Sequence, residues 1–267
     1  MSVDLAAYRD RIGWHGPARA DLATLEAVLA AHTRAIPFEN LDVLLGRGIA
    51  LDLPALEAKL VHARRGGYCF EQATLFAAVL EALGFTIERH IARVVLTSPR
   101  DASPRTHMFV VVSLDGARHV ADPGFGALAA RVPVPLVEGR RVASGHDVHW
   151  MARDGDGWKL CTLSDGKPID CWVTALDTVP TVDFIVANHY TSTHPASSFV
   201  NRLMMRAVTD DGRVALMNRD VTIRRDGTIE RRELRDRHEL RALVAAHFGF
   251  DLPDIERLAV PSVPGWT

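Results

Sequence analysis

The chain has 267 residues, 48% hydrophobic and 24% charged, a globular composition long enough for one extended core or two to three smaller ones. Its 31 basic and 33 acidic residues leave a formal charge of −2, which argues against a nucleic-acid-binding or anionic-membrane surface. Three cysteines, Cys69, Cys161 and Cys171, none in a CxxC pair, argue against a disulfide framework or a structural zinc site and suit a reducing cytoplasm.

Residues 1–13 carry Asp4, Arg9, Asp10 and Arg11 and lead into no apolar stretch, so a secretory signal is not expected. The apolar runs elsewhere are too short for a membrane span. Asp21 is placed to cap a helix in which Leu22, Leu25, Val28 and Leu29 recur at helical spacing. Ile36-Pro37 should end it, because the residue before proline avoids the α region. A short helix is expected from 53 or 54 to 63, with Pro54 in its first turn. Arg65-Gly66-Gly67 then interrupts the pattern, and a third helix starts at Tyr68. Leu75, Phe76, Val79, Leu80 and Leu83 form its apolar stripe, and Gly84 closes it.

From Thr86 the period changes to that of strands. Residues 91–96 and 108–114 are β-branched or apolar runs, and Asp115-Gly116 is a strong hairpin signal. Gly155-Asp156-Gly157, Asp165-Gly166, Asp211-Gly212 and Asp226-Gly227 mark further turns between strand-like segments. A last helix, about 238–248, follows a possible cap at Asp236. Helices, then strands, then a mixed end make an α+β protein, with neither an internal repeat nor a low-complexity linker.

Chemistry is suggested first by Cys69. The two glycines before it permit a tight turn that sets it in the first turn of a helix, where unpaired N–H groups and the helix dipole favour an anion. The thiolate is the nucleophilic form of cysteine, and it needs a base with an orienting partner. If Asp115-Gly116 is a two-residue loop, Leu114 pairs with Ala117 and His107 falls opposite Gly124, with Asp122 on the same strand and face as that glycine. Diagonal neighbours of this kind lie within side-chain reach, so the hairpin supplies an imidazole and a carboxylate together. His119 falls on the other face. Each residue also has a plainer reading: a small buried cysteine, a strand-end histidine, a turn-former ahead of Pro123. Taken jointly, the three favour a Cys-His-Asp triad.

These residues resemble a known family. Arg65-Gly66-Gly67-Tyr68-Cys69-Phe70-Glu71 is similar to the Arg-Gly-Gly-aromatic-Cys signature of the bacterial arylamine N-acetyltransferases. Ile36-Pro37-Phe38-Glu39-Asn40-Leu41 upstream, His107-Met108 and Asp122-Pro123-Gly124-Phe125-Gly126 downstream, and the block from Asn188 to Phe199 with Ser192-Thr193-His194-Pro195 and Ser197 continue it in order. One departure is Ala73, where bacterial members often carry asparagine.

The resemblance implies a helical bundle carrying the nucleophile over 1–85, an antiparallel β-barrel carrying His107 and Asp122 over 86–190, and an α/β lid over 191–267, around a cysteine-protease-like core. It implies acetyl transfer from acetyl-CoA to an arylamine or arylhydrazine through an acetyl-Cys69 intermediate, without a metal, as in xenobiotic metabolism. Phe38, Gly124, Phe125, Gly126 and Phe199 would contact substrate, Phe199 together with Ser197 as the weaker candidates. Glu39 and Arg65 would pair to brace the active-site turn. The backbone N–H of Cys69 would serve as an oxyanion donor, and Cys161 and Cys171 would be inert. Three rivals share some of these features: an amide synthase closing a macrolactam, a cysteine hydrolase with the same triad, and a non-catalytic binding module for coenzyme A or another small molecule.

Overall fold

The computed structural model describes residues 2–209 and 211–266. Its first third is helical: α1 (Leu5–Ile12), α2 (Leu22–Ala35), the short strand β1 (Phe38–Glu39), α3 (Leu41–Leu44), α4 (Leu53–Leu56) running into a π-helix (Glu57–His62), and α5 (Cys69–Ala82). Asp21 does cap α2, accepting from the Thr24 N–H at 2.8 Å. The helix expected to 63 is regular for only one turn and then widens into the π-helix, a form often found at functional sites. α1, capped by Asp4 and closed by Gly13, was hidden in sequence because eight residues are too few to show a helical period.

The middle of the chain is β2 (Thr86–Val94), β3 (Arg105–Leu114), β4 (Ala117–Ala121), β5 (Val134–Pro135), β6 (Val142–Ser144), β7 (Asp147–Asp154), β8 (Gly157–Ser164) and β9 (Lys167–Thr174). These form one antiparallel sheet in the order β5-β4-β3-β2-β9-β8-β7-β6. A bridge from Glu138 to Met151 draws its ends together into a nearly closed barrel. Asp115 and Gly116 both have positive φ, the turn in which hairpin twist matches strand twist, and Leu114 pairs with Ala117 as expected. β3 is buried on both faces. Val110, Val112 and Leu114 pack on the helices, while Phe109 and Val111 face the barrel core with Trp172 and Met151. That explains an unbroken apolar run where a half-exposed strand would alternate.

The remainder comprises α6 (Thr181–Thr193), α7 (Ser198–Asn201), β10 (Met204–Thr209), β11 (Gly212–Met217), β12 (Asp220–Arg225), β13 (Thr228–Glu233) and α8 (Arg237–His247). A second antiparallel sheet has the order β1-β10-β11-β12-β13, so a strand from the first third completes the C-terminal sheet, Phe38 pairing with Arg206. Residue 190 falls inside α6. That helix escaped the sequence reading because Val182, Ile185 and Val186 face outward, leaving Phe184, Ala187, Asn188 and Thr191 on its buried side and no apolar stripe to detect.

Candidate active site

Cys69 is the first residue of α5, with Tyr68 as its N-cap. Its N–H is thus among the helix-start donors that have no partner within the helix. The Glu71 side chain folds back to accept from the Tyr68 N–H at 3.0 Å. Neither Gly66 nor Gly67 adopts the left-handed conformation that a tight glycine turn suggests; both are needed for close approach. A Cβ on Gly67 would lie 2.7 Å from Glu71 Oε2, and one on Gly66 would run into the Pro37 carbonyl. Gln72 finishes the turn, donating to the Gly67 carbonyl at 2.7 Å and to that of Pro37 at 3.2 Å.

Beneath this turn lies a buried ion network. Arg65 meets Glu39 at 2.7 Å, as expected, and also Asp42 at 2.8 Å. Lys59, from the π-helix, meets Asp42 at 2.8 Å and Glu71 at 2.7 Å. Burial raises the Asp42 carboxyl, but the two cations outweigh it and hold the group at about 2.

The second wall of the site comes from the barrel. His107 Nε2 lies 2.7 Å from Asp122 Oδ2, with both side chains buried. The pairing behind this contact differs from the extrapolated register. The β3–β4 ladder stops at Val110 with Ala121, and His107 pairs instead with Ala92 on β2. Beyond Ala121 the chain turns away at Asp122-Pro123, and face parity alone keeps Asp122 on the same side as His107. Gly124 therefore does not make room for the imidazole. It makes room for the nucleophile, since a Cβ there would sit 2.6 Å from the Cys69 Cα. His119 pairs with Val112, on the face turned from the barrel interior.

Asp122 is held on three sides. Trp172 Nε1 donates to Oδ2 at 3.0 Å and the Gly124 N–H to Oδ1 at 3.3 Å, in addition to His107. With Nε2 occupied by Asp122, His107 has its other ring nitrogen left for Cys69. Burial pushes the imidazole down, but Asp122 and the Cys69 sulfur both favour its charged form and together push it up to about 10. The ring is thus an imidazolium at neutral pH. The other two cysteines behave differently. Burial, then Asp170, pushes Cys161 up to about 12, and burial also raises Cys171, so both stay thiols at neutral pH.

Of the residues expected to touch substrate, Phe38 and Phe199 pack on the cluster that holds Cys69, and Gly124 abuts its Cα. Phe125 stands edge-on to the His107 ring at 4.9 Å, and Phe38 packs 6.2 Å from Phe199, centroid to centroid. A Cβ on Gly126 would lie 3.6 Å from the Phe38 ring. Tyr68, 5.2 Å from Phe199, backs this aromatic group and hydrogen-bonds to Asn188 on α6. Ser197 does not join them: it is buried, donating to the Thr191 carbonyl at 2.5 Å and capping α7 at Phe199. Ala73 is fully buried in the cluster that contains Cys69, Met108 and Phe184.

Trp172, Lys59 and Asp42 had no sequence signal: each acts across 12 to 50 residues of chain, on a partner that no local pattern names. Trp172 offers a direct check. Trp172→Phe removes a hydrogen bond to a buried carboxylate, worth about 1.5–3 kcal/mol. The urea midpoint should fall accordingly with m unchanged, and an unchanged midpoint would make the bond energetically idle.

Among the described residues no group of three or more histidine, cysteine or acidic side chains is arranged to hold a metal ion. Nor is any described helix long and apolar enough to cross a membrane.

A family model described as N-acetyltransferase matches residues 21–257. The chain is 40% identical over 260 residues to an arylamine N-acetyltransferase of Mycolicibacterium smegmatis, covering 96% of this chain and 94% of that protein. The solved arylamine N-acetyltransferase of Mycobacterium marinum superposes with a TM-score of 0.90 at 35% identity, covering 94% of each chain. A structure of that protein in complex with CoA superposes with a TM-score of 0.89, again covering 94% of each.

Proposed function

The chain belongs to the arylamine N-acetyltransferase family, and we propose that its reaction is a ping-pong transfer through an acetyl thioester on Cys69. It is an arylamine N-acetyltransferase that uses acetyl-CoA. What supports the residue roles is the sequence of contacts from Cys69 at the start of α5 to the His107 imidazolium and on to the buried Asp122 carboxylate.

In the first half-reaction the Cys69 sulfur attacks the thioester carbonyl. A bond forms from Sγ to the acetyl carbon, the bond to the coenzyme sulfur breaks, and His107 gives its proton to the departing thiolate. The tetrahedral oxygen forms beside the start of α5, where the Cys69 N–H serves as donor. In the second half-reaction the acceptor nitrogen attacks the acetyl carbon and Sγ leaves. His107, now neutral, takes the proton shed by nitrogen, and the charged pair is restored. Asp122 keeps the ring turned toward sulfur through both steps.

An aromatic amine is largely unprotonated at neutral pH and can attack directly, whereas an alkyl amine is mostly an ammonium ion. The apolar group of Phe38, Phe125 and Phe199 beside Cys69 suits such an acceptor. Three unpaired cysteines fit a reducing, cytoplasmic setting.

The test is intact mass after mixing with acetyl-CoA. One acetyl group should appear on the peptide holding Cys69, and an arylamine or arylhydrazine should remove it as the N-acetylated product forms. Turnover with no covalent adduct at any quench time would overturn the two-step reading.

A further inference from the structure

We propose that Lys59 is a positioning residue for the transfer reaction, clamping both ends of the 65–67 turn and holding the Glu71 carboxylate against the first turn of the nucleophile's helix. The proposal rests on Cys69 being the acetylated residue. The backbone carbonyl of Lys59 accepts from the Arg65 N–H at 3.0 Å, where the turn begins. Its Nζ binds Glu71 Oε1 at 2.7 Å, and Oε2 of the same carboxylate accepts from the Tyr68 N–H at 3.0 Å, where the turn ends. One residue therefore holds the loop on both sides of the glycines.

The π-helix is what makes the double contact possible. Its wider turn is closed by the Ala63 N–H bonding to the Ala58 carbonyl at 2.9 Å. Lys59 is thereby turned inward, its side chain 15% exposed, into a cluster of acids. Facing it are Glu39 on β1, Asp42 on α3 and Glu71 on α5, with Arg65 as the second cation. At the rim Arg47 binds Asp42 at 3.1 Å, and Arg11 on α1 donates to the Arg64 and Arg65 carbonyls. One buried cation and one half-buried cation, Arg65 and Lys59, thus serve three carboxylates. Arg65 takes Glu39 and Asp42, which leaves Lys59 as the cation in contact with Glu71. Burial and the nearby Glu39 charge raise the Glu71 carboxyl, and Lys59 opposes them.

Without that cation an ionised Glu71 is a buried, uncompensated charge two residues from Cys69, repelled by Glu39 and free to leave the Tyr68 N–H. A protonated Glu71 is neutral and can still accept at the cap. The loss of function should therefore grow with pH, as the acid ionises. Single-turnover acetylation by acetyl-CoA, read by quenched intact mass, measures this directly.

For Lys59→Met the ratio of wild-type to variant rate should climb by about tenfold from the acidic to the alkaline side of neutrality, the equivalent of one pKa unit of interaction. Lys59→Arg, which keeps the cation, should give a flat ratio near one. In a Glu71→Gln background, which keeps the cap acceptor without the charge, Lys59→Met should also give a flat ratio. A flat ratio for Lys59→Met in the native background would mean a merely structural role and overturn the proposal. So would a slope that survives Glu71→Gln. If Lys59→Met does not fold, Lys59→Gln, a neutral side chain that still donates, is measured in its place. Absence of the adduct in the wild-type enzyme would instead defeat the Cys69 reading, an outcome distinct from all of these.

Discussion

Cys69→Ser is expected to lower turnover with acetyl-CoA and an arylamine by on the order of 10⁴-fold or more, the scale seen when a covalent nucleophile is removed. The reason lies in the charge state of its partner. His107 is held as an imidazolium, pushed up to about 10 by Asp122 and the sulfur. That ring can sit beside a thiolate and supply a proton to the leaving group, but it has no free site to take one from a serine hydroxyl. The hydroxyl stays neutral and attacks poorly. Serine is close to cysteine in size and is tolerated at a helix start, so the fold should survive. Steady-state rates, the acetyl adduct by mass, and a thermal midpoint within a few degrees of wild type form the check. A serine variant within tenfold of wild-type turnover would remove the sulfur from the mechanism.

How much of this was legible beforehand depends on distance along the chain. The start of α5, the cap of α2 and the Asp115-Gly116 hairpin follow from a few adjacent residues, and each was readable. The His107–Asp122 contact was readable because strand parity carries further than a hydrogen-bond register. The ladder ends before His107, yet both side chains remain on the barrel face with Phe109, Val111 and Val120. Taken with Cys69 at a helix start, that pair favours a triad from the residues alone; family resemblance then adds the reaction, which a triad by itself does not name.

What stayed hidden is long-range or irregular. β1 joins a strand more than 160 residues later, and the Trp172 indole reaches Asp122 across 50 residues. A π-helix has no apolar period of its own, so nothing local in the sequence marks Lys59. Arg206 is another example. It is a buried guanidinium on β10 that donates to the Gly126 carbonyl, with Arg131 and Arg213 nearby, and burial and those cations lower it to about 9. Nothing beside Arg206 in sequence marks it as the strut behind the Phe125 loop. The Gly66-Gly67 pair shows the subtler failure. A tight turn is legible from the two glycines, but what demands them there, close approach to Pro37 and Glu71, is set by residues outside the pair.

Asp122→Asn is the second large effect. Asparagine keeps the shape and can still accept from Trp172 or the Gly124 N–H, but it removes the charge that opposes burial at His107. The ring should then fall from about 10, with only the Cys69 sulfur left to oppose burial, and it is no longer fixed in one tautomer. Comparable loss of the orienting acid in a Ser-His-Asp triad costs about 10⁴-fold, and a drop of roughly 10³–10⁴ in kcat/KM is expected. The pH profile gives the sharper signature, because the alkaline limb set by His107 should move down from near 10. The sign for stability follows from the same shift. A histidine raised on folding stabilises fully below its unfolded value near 6.5, and that contribution is lost as pH climbs through about 10. The stability gap between wild type and Asp122→Asn, read from urea midpoints, should therefore narrow over that window. It should not close completely, since the Trp172 and Gly124 bonds to the carboxylate persist in the wild type. A variant with near-native rates, an unmoved alkaline limb and a constant gap would reduce Asp122 to a packing residue and leave the His107 charge without its cause.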